Sequence, residues 1–547
     1  MDNLIHYIAS QQIKIIFLFA IVLILILLPI LLFGKLISHR KPVEAFHEDM
    51  KNSKLDRVLS KWGLTFIGIG AIIGAGIFVM TGVGARLHAG PALALSFVVA
   101  GIGCTFAALC YAEFASMLPV EGSAYAYSYA TMGEFFAWII GWDLILEYAM
   151  ASAAVAVGWA GYLSKLLLLF NIKLPFWMMN DYFTGTNLLN EASKSPAKLA
   201  ELTSHYSGVL DASGNLIHLS FGMNLPAFII IWLVTFILVK GIKEAANTNN
   251  IMVLVKGAVV LFIIIVGAQH INIANWTPFI PEARMITTPT GGQMEAYGWA
   301  GILSGAAYIF FAYIGFDTVS TSAGEAKNPQ KDVPFGIILS LIICTVLYIL
   351  VALVLTGMVK YDTIDINAPI AAAFNAVGLK FAVLIISIAA VAGLTSVLIV
   401  MLLGQSRVFY AMAKDGLLPK NPFADIHPKF KTPYKTSLLT GLVVSIVAAI
   451  TPISVIAELV NIGTLLAFVM VCGAVWLMRI KEPYKERPFR TPFLPVVASL
   501  GIFFNLAMMW SLGEHNWERL FFWLALGTVI YLFYGRKHSI LRNKVQS

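Results

Sequence analysis

Gly70-Ala-Ile-Ile-Gly-Ala-Gly-Ile-Phe78 sets three glycines within seven residues, in the middle of an apolar run long enough to cross a bilayer. A glycine weakens a helix by about 1 kcal/mol relative to alanine. In exchange it lets backbones approach closely or leave helical dihedrals without steric penalty. In hydrocarbon, freed N–H and C=O groups need partners, so a broken helix survives only inside protein or beside a polar cavity. Gly70, Gly74 and Gly76 therefore mark either a tight helix contact of the small-xxx-small kind or an opening where a ligand meets bare peptide groups.

The surrounding composition makes the hydrocarbon setting the relevant one. The chain has 547 residues, of which 59% are hydrophobic and 12% charged, and this excludes a soluble enzyme. Runs of spanning length occur at 14–34, 63–87, 90–117, 136–169, 225–243, 248–271, 299–322, 334–358, 378–410, 435–450, 454–478, 493–512 and 517–534. The expected fold is an all-α polytopic membrane protein of about 13 helices. Lys and Arg favour the cytoplasmic side in short loops. With the 35–61 linker inside, 26 of the 37 fall inside, 10 outside, and Lys256 alone within a span. This puts the N-terminus outside and the C-terminus in the cytoplasm, and it accounts for the net charge of +8 without nucleic acid. Cys104, Cys110, Cys344 and Cys472 all lie in spans, with no metal-ligand spacing or disulfide framework. No metal or cofactor is expected. The run at 14–34 is too long for a secretory signal and is followed, not preceded, by basic residues, so it reads as an added first helix.

A second interruption lies at Ile309-Phe-Phe-Ala-Tyr-Ile-Gly-Phe-Asp317, after the small-residue run Ser304 to Ala307. Counting from the first break, 63–271 holds five spans and 299–478 five more, each set opening with an interrupted helix. Five is odd, so the second set enters from the opposite side and the halves form an inverted repeat. The expected organisation is an extra helix (1–34), a cytoplasmic linker (35–62), the two repeats (63–271, 299–478) and two C-terminal helices (491–535).

Charges inside the spans are the remaining signals. Asp143 and Glu147, four apart, share a helical face; intramembrane acids face a cavity or a partner, or are satisfied by neighbouring hydroxyls. Lys256 lies about a third of the way into its span, too deep to snorkel comfortably. It is tied permanently to backbone carbonyls, or it gains and loses a proton as a coupling residue. Glu113, near a span end, reads as a solvated helix end or a gate. Thr395 and Ser396 line a cavity or back-bond to their own helix. The 170–224 segment is a long polar outside loop with no usable motif, and no nucleophile–base pair suggests an enzyme.

With Gly70 to Phe78, Tyr111 to Tyr127, Gly141 to Tyr148, Asn250 to Lys256, Phe310 to Asp317 and Gly404 to Pro419 in hand, the chain resembles the amino acid, polyamine and organocation transporter superfamily. More narrowly it resembles the cationic amino acid transporter branch and its bacterial proton-coupled relatives, over about 55–535. The resemblance implies a leucine-transporter-like core and a proton-coupled L-amino acid transporter in the cytoplasmic membrane, its partners being an amino acid, a proton and lipid. It implies that Gly74, Ala75 and Gly76 offer N–H groups to the substrate carboxylate, in keeping with anion binding at a helix N-terminus, with Ile73 also among the substrate-binding residues. The Ile72 carbonyl would stand near the amino group, carbonyls of Phe311, Ala312 and Ile314 would take the ammonium, and Phe316 would close an outer gate. Lys256 matches the family's coupling lysine, and Glu147 an acid near the cavity. Ala75 replaces the hydroxyl residue of many relatives, and bulky Leu394 favours small neutral substrates. An amino acid or polyamine exchanger is the alternative, and an amino acid-sensing receptor a further one.

Overall fold

A computed structural model of the chain describes residues 40–41, 59–118, 123–241, 245–287, 293–321, 326–430 and 432–546. The expected first helix at 14–34 and most of the 35–62 linker lie outside the described residues. From 63 onward every apolar run coincides with a helix or an interrupted helix. Among the described residues six helices are long and apolar enough to cross a membrane, and five shorter apolar ones accompany them.

In chain order the helices are α1 (Lys61–Ile72), a distorted half-helix from Gly76 to Ala89, α2 (Leu93–Met117), α3 (Ser123–Thr131) and α4 (Glu134–Leu168). There follow α5 (Tyr182–Lys194), α6 (Pro196–His205), α7 (Leu225–Lys240), α8 (Ala245–Ala268), α9 (Gly298–Ile309) and α10 (Pro329–Met358). Then come α11 (Pro369–Ala376), α12 (Lys380–Lys414), α13 (Tyr434–Ile450), α14 (Ile453–Lys481), α15 (Leu494–Ser511), α16 (Glu514–Ile530) and α17 (Ile540–Gln546). A two-stranded antiparallel hairpin, β1 (Arg284–Thr287) and β2 (Gln293–Ala296), precedes α9.

The core is built around α4, which packs on α12 and α14, and around α10, which packs on α1 and α2. Peripheral helices turn large apolar side chains outward: Leu233 and Phe236 on α7, Leu254 and Ile265 on α8, Val443 and Ile446 on α13, Phe522 on α16. Such a belt is too extensive for a water-facing surface and suits lipid.

Two ends of the bundle differ. One, the basic end, gathers the start of α4, the end of α2 and the 479–491 and 536–542 segments. There Glu113 is 1% exposed, not solvated as one sequence reading has it. Arg479 donates to its carboxylate from Nε and Nη2 at 2.9 and 2.7 Å, Thr491 N–H donates at 2.8 Å, and Arg487 Nε lies 3.3 Å away. The physical reason is that the arginine-rich 479–490 loop folds back over the end of α2, and a buried carboxylate is tolerable only with donors supplied this densely. The hydroxyls of Tyr129, Tyr531 and Ser539 likewise donate to fully buried Glu134.

The other, the lid end, carries the 170–224 excursion. Its helices α5 and α6 fold on a small core of Phe176, Leu189, Ala192, Leu202, Val209 and Leu219. Beneath it lies a cavity of about 420 Å³ whose walls include Val83, Arg86, Val157, Lys165, Asp365 and His205.

Glycines set the closest approach in the interior. A Cβ at Gly76 would stand 2.2 Å from Ala312 Cα, whereas one at Gly257 would meet nothing within 4 Å. Gly76→Val should therefore lower the thermal stability of the detergent-purified protein by about 1–3 kcal/mol or more, as overpacking does. Gly257→Ala should leave it unchanged or raise it by up to about 1 kcal/mol. Thermal unfolding followed by size-exclusion fluorescence checks the contrast.

Candidate functional site at the crossing of two broken helices

Both glycine-marked interruptions are true breaks. α1 stops at Ile72, Ile73 takes extended dihedrals (φ −71°, ψ 97°), and the chain restarts as a π-turn over Gly76–Met80. A second π stretch follows at Gly84–Ala89. π geometry inside helices is uncommon and collects at functional sites. α9 tightens into a 3₁₀ turn over Phe310–Tyr313, Ile314 is extended (ψ 133°), and Gly315 has φ +117°, a conformation L side chains rarely adopt.

The breaks cross each other. Gly76 sits on the Ala312 backbone, and a Cβ at Gly315 would come within 2.9 Å of the Ala71 carbonyl. Ile73, Ala75, Phe311, Ala312, Ile314 and Phe316 are all buried. Residues 72–76 and 311–316, separate in sequence, are thus one location in space.

A break orphans backbone groups, and the surrounding helices answer them one by one. Lys256 on α8 donates to the Gly70 carbonyl at 3.1 Å, with its stem laid against Gly393 of α12. Tyr348 on α10 donates to the Ile72 carbonyl at 2.7 Å. At the second break, the side-chain amide of Asn461 on α14 donates to the Tyr308 carbonyl at 2.7 Å. Tyr162 on α4 donates to the Phe78 carbonyl at 2.6 Å, and Tyr313 to that of Phe97 at 2.8 Å. Tyr348, Tyr162 and Asn461 escape a sequence reading, because a lone Tyr or Asn in an apolar run does not declare which distant carbonyl it reaches.

Lys256 is 1% exposed, and its contact among the described residues is a carbonyl, with no carboxylate in salt-bridge range. Thr395 donates to its own helix at the Val391 carbonyl, 2.8 Å, and accepts from Trp159 Nε1 at 3.0 Å. Leu394 is fully buried.

Acidic groups converge on the second break. Glu147 lies in electrostatic reach of Asp317 and Asp143 and hydrogen-bonds Thr464. The Asp143 carboxylate rests against the Gly463 backbone. Tyr111 and Tyr148 lie close enough to sense both Asp317 and Glu147. The i, i+4 spacing made Asp143 and Glu147 legible as a pair; the addition of Asp317 required the fold.

Phe316 packs on Tyr111 at 5.6 Å and Phe468 at 5.0 Å between ring centroids. Tyr111 in turn meets Tyr127 at 6.2 Å. Phe316 thus stands on the basic-end side of the crossing, away from the lid-end cavity. The cavity itself is lined by Val83 and Val157, not by the break residues. At 1.5 Å per residue, Val83 stands roughly 10 Å along the half-helix from Gly76.

The bundle thus carries two interrupted helices that cross in its buried interior. The pattern of the family described as "Amino acid permease" matches residues 59–533. This chain belongs to that permease family. It is 43% identical to the Methylthioribose transporter of Bacillus subtilis (strain 168), covering 92% of this chain and 98% of that protein. It is also 43% identical to the Branched-chain amino acid permease BcaP of the same organism, covering 89% and 95%. Similarity extends to plants, with 30% identity to the Cationic amino acid transporter 4, vacuolar, of Arabidopsis thaliana over 92% and 96%. The match covers both breaks and all helices between, and in this permease the 14–34 run precedes it.

Tyr348→Phe removes the donor to the Ile72 carbonyl and leaves that group buried and unpaired. The expected cost is about 1–3 kcal/mol, read as a lower melting temperature. An unshifted melting curve would show that the carbonyl has another partner.

Proposed function

We propose that this permease takes up a small neutral L-amino acid across the cytoplasmic membrane by alternating access, driven by protons, with the substrate bound where the two broken helices cross. The observation that supports this most directly is the mutual contact of the breaks, Gly76 on Ala312 and Gly315 on Ala71. On this reading, N–H groups of Gly74, Ala75 and Gly76, at the start of one half-helix, face the same solute as carbonyls of Phe311, Ala312 and Ile314, at the end of another. A half-helix N-terminus attracts a carboxylate and a C-terminus an ammonium, so the pair is complementary to a zwitterion. Such sites at the interface of an inverted repeat are how this kind of transporter binds its solute, and the repeat is part of the proposal.

Side-chain preference follows from what surrounds the crossing. Ile73, Phe311, Ile314 and Leu394 are apolar and buried, which suits a small uncharged side chain. The relative named as a branched-chain amino acid permease points the same way, and the relative named as a methylthioribose transporter makes that thioether sugar a second compound to test.

Lys256 is the proposed coupling group. Protonated, it donates to the Gly70 carbonyl and holds the end of α1; deprotonated, it loses that charge-assisted bond and α1 is freed to move against α8 and α12. Substrate and proton then both favour one conformer, and this shared preference couples them. With the lid end outside, as the basic-residue bias indicates, Phe316 stands on the cytoplasmic side of the substrate. Its proposed role becomes an inner plug with Tyr111 and Phe468, in place of the outer gate that the family resemblance implies.

Lys256→Ala should abolish accumulation driven by a pH gradient in proteoliposomes while substrate binding stays measurable; unchanged pH-driven uptake removes the coupling role. Glu147→Gln should weaken lysine binding at least about tenfold, near 1.4 kcal/mol, more than it weakens alanine binding if this acid reads side-chain charge. Equal losses for the two make Glu147 a structural acid. Thermal-shift screening against leucine, valine, alanine, lysine and methylthioribose ranks the substrates.

A further inference from the structure

The cavity at the lid end is roofed by α6, and an ammonium of α4 reaches that roof. Lys165, in the last turn of α4, lies 3.1 Å from Nε2 of His205 on α6 and 2.8 Å from a carboxylate oxygen of Asp365 in the 359–368 loop. His205 Nδ1 lies 2.8 Å from the Glu201 carbonyl. A carbonyl only accepts, so Nδ1 bears the ring proton; an ammonium only donates, so Nε2 offers its lone pair. Both contacts are made at once only by a neutral imidazole in one tautomer.

We infer that His205 is a pH-responsive latch, which holds the α6 lid onto Lys165 when neutral and releases it when protonated, opening the outer cavity as the external solution becomes acidic. A protonated ring would turn an Nε2–H donor toward an ammonium 3.1 Å away, exchanging a hydrogen bond for like-charge repulsion. Histidine is the side chain whose ordinary titration falls in the physiological range.

The neighbouring charges leave this switch to His205. On its own helix, Glu201 is paired with Lys198 at 2.9 Å, and Ser204 Oγ sits 3.2 Å from Nδ1. From the preceding loop, Lys173 donates to the Thr203 carbonyl at 2.7 Å. Tyr206 follows in sequence, and Glu191 and Asp181 of the α5 segment, Arg86 of the half-helix and Asp362 line the same cavity. Burial pushes the Asp365 carboxyl up, but the Lys165 ammonium and the N–H groups of Ala368 and Asn367 outweigh it and hold the acid well below the usual carboxylate range. A depressed carboxyl stays ionised until the pH falls through its lowered value. Lys165 therefore keeps Asp365 through the histidine range, and what acid breaks is the link to the lid.

The geometry of the latch is independent of what the protein carries; only its purpose, admitting substrate from the acidic side, rests on the transport reading. The test accordingly uses no substrate and no gradient. Spin labels at Ala200→Cys on α6 and Lys360→Cys on the facing loop, both exposed, report lid distance in full-length protein in nanodiscs; the native cysteines are buried. Between about pH 7.5 and 5.5, the longer-distance population should rise at least roughly threefold in the otherwise unchanged chain, following the imidazole. His205→Gln, which keeps a neutral acceptor, should remain closed at both, and His205→Arg should be open at both. An unchanged distance distribution in the parent chain, or an equal acid response in His205→Gln, overturns the latch, and the parent reading stands even if a variant fails to fold.

Discussion

Peptide groups that a broken helix leaves without partners are the constraint on which this architecture depends. In water such groups would be satisfied at little cost; in hydrocarbon each needs a specific neighbour. The structure answers with side chains from four different helices, Lys256, Tyr348, Asn461 and Tyr162, each donating to a carbonyl at or near a break. The donors are long or rigid and come from flanking helices, so a movement of either half-helix must exchange these bonds. That gives the interior discrete arrangements and not a continuum, which is what a conformational cycle needs.

Glycine makes the crossing possible. Gly76 and Gly315 are the two positions where a side chain would collide with the backbone of the opposite break, and Gly315 also adopts a positive φ. The close approach is what the packing reading of a glycine-rich helix requires, and the proposed substrate site rests on it. Packing and binding, opposed as readings of one stretch, are compatible in the pair, because backbones this close leave room in the proposal for peptide groups of both to face one solute.

Charge is distributed with the same logic. At the basic end, Glu113 and Glu134 are buried but richly supplied with donors, so they hold segments together. Near the second break, Asp143 and Asp317 both lie within electrostatic reach of Glu147, a gathering of intramembrane acids of the kind that faces a cavity or a partner. At the lid end, Lys165 is shared by two acceptors, the His205 ring and the Asp365 carboxylate. Ion pairs thus lie at the bundle's ends and a cluster of acids near its middle.

Much of this was legible in the chain alone. Apolar length places the spans because bilayer thickness admits few alternatives, and residues 70–78 and 309–317 announce their breaks because glycine clusters are costly in a helix without a purpose. Lys256, Asp143 and Glu147 stand out because charge in hydrocarbon is expensive. Long-range pairing was not legible: nothing local in Tyr348 points to Ile72, in Asp317 to Glu147, or in Arg479 to Glu113, so the last reads as a solvated end until the loop is seen folded over it. Nor could a polar excursion without a motif reveal a lid, since its small core and the contact from Lys165 to His205 exist only once 165, 205 and 365 share one corner. Sequence by itself determined where the helices break and singled out Lys256, Asp143 and Glu147 as charges inside the spans, since those follow from one-dimensional costs. Which groups answer them was decided by tertiary structure alone, because a hydrogen bond between residues hundreds apart is set by how the helices pack.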